Sequence, residues 1–168
     1  MSQNAKENLI LVGMPGSGKS TLSQLVAERL GWQVVDTDAL IERRFGAPLQ
    51  QLLDRAGYLG LRQMESEVIR DLACQHCVIA TGGSVVYSEA GMQHLQQLGT
   101  IVYLAVSEAE IRRRITNWDS RGIAAPPGTS LHNLYAERVP LYERYAHRTV
   151  HAGGSDMAAI AQAIVECL

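Results

Sequence analysis

The sequence predicts an α/β fold, a five-stranded parallel sheet flanked by helices. Two observations carry that prediction. Short apolar runs alternate with longer amphipathic stretches along the whole chain, as in successive βαβ units. The first run, "NLILVG", passes through a glycine-rich loop directly into a helix-forming stretch. In order, strands are expected at 8–13, 33–37, 77–81, 100–106 and 148–152, each a short apolar run. Helices fit 18–30, 39–46, 48–56, 59–74, 88–97, 107–116, 130–146 and 155–167, where the apolar residues recur at helical spacing. The stretch "NWDSRGIAAPPGTS", residues 117–130, is a loop, because Pro126, Pro127 and Gly128 break the helical pattern. A loop of that length inside a compact domain suits a functional lid.

Composition bounds the function. With 168 residues, 46% of them hydrophobic, the chain is expected to form one domain over 1–168 with a substantial core. Its 15 basic and 17 acidic residues leave a net charge of −2 and no polybasic run. That pattern argues against nucleic acid or a membrane as partner and in favour of a small molecule. No apolar run reaches the roughly 18 residues that span a bilayer, and "MSQNAKENL" lacks the pattern of a secretion signal. A cytoplasmic monomer is expected. Three cysteines suit a reduced protein, and "CQHC" at 74–77 has no second ligand pair for zinc. Cys74 and Cys77 are read as the end of a helix and the start of a strand.

The loop after the first strand has the form G-x-x-x-x-G-K-S, from Gly13 to Ser20. It is the phosphate-cradling P-loop, in which backbone N–H groups and a helix N-terminus face anionic oxygens. Gly13, Gly16, Ser17, Gly18, Lys19, Ser20 and Thr21 would hold the nucleotide, with Lys19 at the β- and γ-phosphates and Ser20 on Mg2+. In an open parallel sheet, ligands bind beyond the carboxyl ends of the strands. The second strand ends in "VVDTD" and the third in "IATGGS". Asp36 and Asp38, two apart on an extended segment, would point the same way, one toward the metal (Asp36) and one toward a substrate hydroxyl. The competing reading is that Asp38 caps the helix that follows.

Taken together these elements resemble the shikimate kinase family over essentially the whole chain. That family's order is a P-loop, D-[ST]-D, F-R-x-x-E, G-G-G, a lid with R-P-L, and R-x-P-x-Y. Here the order is Gly13–Ser20, "DTD" at 36–38, "LRQME" at 61–65, "GGS" at 82–84, "SRGIA" at 120–124 and "RVPLY" at 138–142. The resemblance implies a P-loop kinase fold that transfers a phosphoryl group from ATP, with Mg2+, to a hydroxyl of shikimate, and an acceptor-binding helical segment at about 38–66. By the same likeness Arg62 and Arg138 clamp the acceptor carboxylate, and Asp38 holds and orients its hydroxyls. Gly82 and Gly83 would offer N–H groups and close approach, Arg121 is the lid arginine, and Arg114 stacks on adenine. Glu65, one helical turn after Arg62, is expected to hold that arginine in place. Arg112 and Arg113 read as surface charges.

Three departures stand out. Leu61 replaces phenylalanine, Ser84 replaces the third glycine, and "RGIA" replaces R-P-L-L. Ser84 would be strained if that glycine has φ > 0. Gly122, where the family has proline, is expected to make the lid looser or differently shaped. Two rival readings remain open at this level: a kinase of another polyhydroxy acid such as gluconate, and a nucleotide-binding relative that has lost turnover.

Overall fold

The computed structural model of the chain describes residues 7–118 and 121–168; Asp119 and Ser120 of the expected lid lie outside the described residues. The strands are β1 (Asn8–Val12), β2 (Gln33–Asp36), β3 (Cys77–Ala80), β4 (Thr100–Ala105) and β5 (Arg148–His151). They form one parallel sheet in the order β2-β3-β1-β4-β5. β1 is central and buried at all its positions, which is why "LILV" is apolar throughout and its one polar residue, Asn8, is hydrogen-bonded. Asn8 stitches the lower edge of the sheet. Its Nδ2 donates to the Cys74 and Leu98 carbonyls, each at 2.9 Å, and its Oδ1 accepts the Cys77 N–H at 3.0 Å. Cys77 thus opens β3, as expected.

Around the sheet run α1 (Lys19–Leu30), α2 (Thr37–Phe45), α3 (Leu49–Arg70), α4 (Glu89–Leu98), α5 (Glu108–Arg114), α6 (Leu131–Tyr145) and α7 (Met157–Val165). α3 is two helices joined at a kink, where Gly57 has φ 74° and ψ 174°. The break falls between the two expected helices. The second one ends at Arg70 rather than 74, because the Cys74 carbonyl is taken up by Asn8 and the chain must turn into β3 through His76, at φ 56°. α2 begins at Thr37 rather than 39. Asp36 is its cap, with Oδ1 accepting the N–H groups of Asp38 at 2.9 Å and Ala39 at 3.4 Å. A short 3-10 turn, Val85–Tyr87, was not foreseen.

The apolar side chains form two clusters. The larger surrounds the sheet. The smaller contains Ile41, Ala47, Leu52, Leu61, Val68 and Ala124, so it joins α2 and α3 to the 121–130 segment. Among the described residues no helix is long and apolar enough to cross a membrane.

Candidate active site

The loop after β1, the loop after β3, the start of α2 and the 121–124 segment converge on one cavity of about 440 Å³ at the carboxyl edge of the sheet. The sheet order explains the position: the chain leaves β1 for β2, returns through β3 and then crosses to β4, so the connections diverge there.

The Gly13–Ser20 loop is shaped by its glycines. Gly16 has φ 82°, and a Cβ there would lie 2.9 Å from Ile115 Cγ1, so both conformation and space demand glycine. α1 starts at Lys19 with no side chain capping its first amides. Those donors are available to an anion, which is the arrangement that binds phosphate. Lys19 Nζ donates to the Gly13 carbonyl at 2.6 Å and the Met14 carbonyl at 2.9 Å. Burial pulls its pKa down to about 8, against the opposing pull of Asp38. Ser20 and Thr21, in the first turn of α1, line the same cavity.

Asp36 and Asp38 both line the cavity but do not share an extended segment as expected. Asp38 is already helical, and the cap is Asp36. Burial, then the charge of Asp36, pushes the Asp38 carboxyl up to about 6. As a site for Mg2+, Ser20 and Asp36 offer a hydroxyl and an exposed carboxylate, the hard oxygen donors that this ion prefers. Among the described residues no three His, Cys, Asp or Glu side chains cluster, so the remaining ligands would be phosphate and water, as is usual for this ion.

At the end of β3, the Gly82 N–H donates to Thr37 Oγ1 at 3.2 Å, so it is committed within the protein rather than offered to a ligand as expected. Gly82 serves close approach instead. A Cβ there would overlap Glu65 Oε2 and sit 2.8 Å from Asp38 Oδ1, and one on Gly83 would lie 2.7 Å from Arg138 Nη1. Ser84 is not strained, having φ −90° and ψ 2°. Its hydroxyl donates to Glu65 Oε1 at 2.5 Å. Glu65 therefore does not hold Arg62. Its buried carboxylate faces Ser84 and Gly82, and burial raises its pKa to about 7 despite the Ser84 bond.

Arg62, on α3, and Arg138, on α6, meet at one acceptor. Arg62 Nε donates to the Ala124 carbonyl at 3.0 Å and Arg138 Nη2 donates to it at 3.1 Å. Arg138 is only 1% exposed, far from the solvated surface arginine of an ordinary helix. Arg62 lies over the Tyr87 ring, and its Nη2 is buried with no hydrogen-bond partner among the described residues. Neither Ala124 nor Tyr87 was anticipated. Tyr87 falls outside every motif, and a backbone carbonyl leaves no trace in a residue pattern.

Arg121 is exposed and lines the cavity. Arg114 is fixed by bonds from Nη1 to the Gly16 carbonyl at 3.0 Å and from Nη2 to Glu110 Oε1 at 3.0 Å and the Ala152 carbonyl at 3.3 Å. Arg112 and Arg113 are exposed. Gly122 has φ 69°, a conformation closed to proline. Its N–H donates to Gln50 Oε1 at 2.9 Å, so the segment is differently shaped but tied to α3 rather than loose.

A phosphate loop facing buried acidic and guanidinium groups across one cavity is the arrangement that the sequence motifs described, and comparison with known proteins gives the same answer. The family model for shikimate kinase matches residues 15–168. The chain belongs to the shikimate kinase family. It is 39% identical over 160 residues to the shikimate kinase of Paracidovorax citrulli, covering 92% of this chain and 87% of that one. The shikimate kinase of Colwellia psychrerythraea is 38% identical, with 97% of each chain covered. Among solved structures, a shikimate kinase from Acinetobacter baumannii in complex with shikimate superposes with a TM-score of 0.88 at 31% identity, covering 95% of this chain and 91% of that one. A gluconokinase from Sinorhizobium meliloti superposes less well, at a TM-score of 0.55 and 17% identity over 96% of this chain and 91% of that one, and shares the fold alone. Shikimate kinases in this family are ATP-dependent phosphotransferases, and the gluconate reading is not favoured.

Proposed function

We propose that the protein transfers the γ-phosphoryl group of ATP to a ring hydroxyl of shikimate, giving shikimate 3-phosphate. The observation that carries this reading is the pair of guanidinium groups converging on the Ala124 carbonyl: Arg138 and Ala124 line the cavity that holds the P-loop, and Arg62, which is not part of that lining, reaches the same carbonyl from behind it. Two cations sharing one oxygen acceptor suit a carboxylate far better than a neutral carbonyl. The acceptor carboxylate would exchange with the Ala124 carbonyl, and that displacement would uncover Arg62 Nη2, which is buried with no hydrogen bond among the described residues. A gluconokinase-like acceptor is the less favoured alternative, and a polyol without a carboxylate would leave this pair unused.

The chemistry follows from charge placement. The loop amides, Lys19 and Arg121 bind the polyphosphate and hold positive charge around the migrating group. Ser20 and Asp36 would hold Mg2+, which when bound would supply positive charge against the polyphosphate. Asp38 accepts the proton of the attacking hydroxyl while the hydroxyl oxygen bonds to phosphorus and the bond to the ADP oxygen breaks. With a pKa of about 6 it is still ionised at neutral pH and is a stronger base than an ordinary aspartate. The hydrogen bonds of Arg114 run in the plane of its guanidinium, which leaves a flat face for adenine.

The test is ADP release with ATP and Mg2+ in the presence of shikimate, quinate, gluconate or no acceptor. Shikimate should give the highest kcat/KM by a wide margin. Preference for gluconate, or release that ignores the acceptor, overturns the reading.

A further inference from the structure

Arg62 and Arg138 reach the same acceptor from separate helices, and a guanidinium on a flexible stem does not hold its plane unaided. Tyr87, the last residue of the 3-10 turn after β3, touches both. The Arg62 guanidinium carbon lies 3.7 Å from the centre of its ring. Arg138 is 5.4 Å from the same centre, and its Nε donates to the Tyr87 hydroxyl at 3.4 Å. That hydroxyl in turn donates to Glu137 Oε1 at 2.7 Å. Tyr58 adds a second ring, 5.0 Å from the Arg62 carbon.

We propose that Tyr87 is a positioning residue of the acceptor site, setting the spacing and tilt of the Arg62–Arg138 pair and so the affinity for the acceptor carboxylate. The inference rests on the reading of that pair as a carboxylate clamp. Ring and carboxylate do not compete for the guanidinium. The ring covers a face, whereas a carboxylate binds the N–H edge. The Arg62 edge is the part still short of acceptors: Nε is on a lid carbonyl, and Nη2 is buried with no partner among the described residues, so it becomes available as the Ala124 carbonyl gives way. The Tyr87 hydroxyl is a reliable donor to Glu137, since burial, then Glu137 itself, raises its pKa further above neutrality. Tyr87 is only half-buried, so its loss need not unfold the chain. The sequence pattern offers no hint of the role. A tyrosine three residues after "GGS" acquires it only because the 3-10 turn brings it between α3 and α6.

The test compares wild type with Tyr87→Phe and Tyr87→Leu in titration calorimetry with shikimate, in steady-state kinetics, and in thermal melts. Tyr87→Leu should weaken shikimate binding roughly three- to thirtyfold, the range of a partly desolvated cation–π contact. Tyr87→Phe keeps the ring and should lose less. The KM for ATP should stay within about twofold for both, and the shikimate methyl ester, which lacks the carboxylate charge, should bind wild type and Tyr87→Leu alike. Tyr87→Met replaces Tyr87→Leu if that variant does not fold. Unchanged shikimate binding in a folded Tyr87→Leu or Tyr87→Met variant overturns the positioning role, as does equal weakening for the ester. Failure of the wild type to bind shikimate at all would instead remove the clamp reading, and this inference with it.

Discussion

Gly122→Pro would restore the residue common in the family, yet it should damage this protein. Gly122 has φ 69°, whereas proline is fixed near −65°. Its N–H, which proline lacks, donates to Gln50 Oε1 at 2.9 Å. A Cβ on residue 122 would also stand 2.9 Å from Leu49 Cβ and 3.1 Å from the Gln50 nitrogen, neither of them the free end of a side chain. Losing the hydrogen bond costs about 1 kcal/mol, and forcing or rebuilding the backbone costs about 1–3 kcal/mol. Together these disfavour the seated segment by about 2–4 kcal/mol, roughly 30-fold to 1000-fold in its population. Arg121 and Ala124 flank this residue, so kcat/KM for shikimate should fall in that range as an upper bound, while ATP binding without acceptor changes little. Gly128→Ala is the internal control. That glycine also has positive φ, 78°, but among the described residues nothing lies within 4 Å of its Cβ position, so its variant suffers only the backbone penalty. Steady-state kinetics on Gly122→Pro, Gly122→Ala and Gly128→Ala decide the matter. Wild-type kcat/KM in Gly122→Pro, or equal losses in the two alanine variants, would refute the reasoning.

Three further outcomes are expected. Lys19→Met should abolish ADP release while leaving the melting temperature equal or higher, because a buried ammonium whose pKa is depressed to about 8 is destabilising in its charged form. The pH profile of kcat/KM should be bell-shaped, rising as Asp38 ionises near 6 and falling as Lys19 deprotonates near 8; Asp38→Asn should be inactive yet still bind nucleotide. For Glu65, the folded chain holds a proton up to about pH 7 whereas the unfolded one releases it near 4.5, so stability should fall as pH rises through that window, by at most about 3 kcal/mol. Thermal melts of Glu65→Gln from pH 4.5 to 7 should lack that component, and an identical slope in both proteins would count against it.

The sheet was legible because its physics is local. A central parallel strand buried on both faces reads as a near-continuous apolar run, and "LILV", after the hydrogen-bonded Asn8, is one. Gly57 could be read as a helix break because a residue without a Cβ weakens a helix wherever it stands. Helix ends were less legible where a distant group decides them. Asp36 moves the start of α2 forward by taking two amides, and Asn8, at the other side of the sheet, helps end the chain's run after α3 by binding the Cys74 carbonyl.

The site divides along the same line. Motif residues such as Lys19, Asp38, Arg62 and Arg138 could be named because their chemistry resides in side chains at fixed spacing. Which group each one meets could not be named, since that depends on elements far apart in sequence. Glu65 was assigned to Arg62 by helical spacing, but a serine nineteen residues later offers its buried carboxylate a hydroxyl at 2.5 Å, and the arginine turns instead to two tyrosine rings. The Ala124 carbonyl is the limiting case. Every residue type presents the same carbonyl, so the identity of residue 124 says nothing about its place between two guanidinium groups. That place is fixed by the left-handed turn at Gly122 and by the burial of the Ala124 methyl among Ile41, Leu52 and Leu61. The substitution of glycine for proline in the lid is therefore better understood as a backbone path of its own, tied to α3 and seating the Ala124 carbonyl, than as a loosened one.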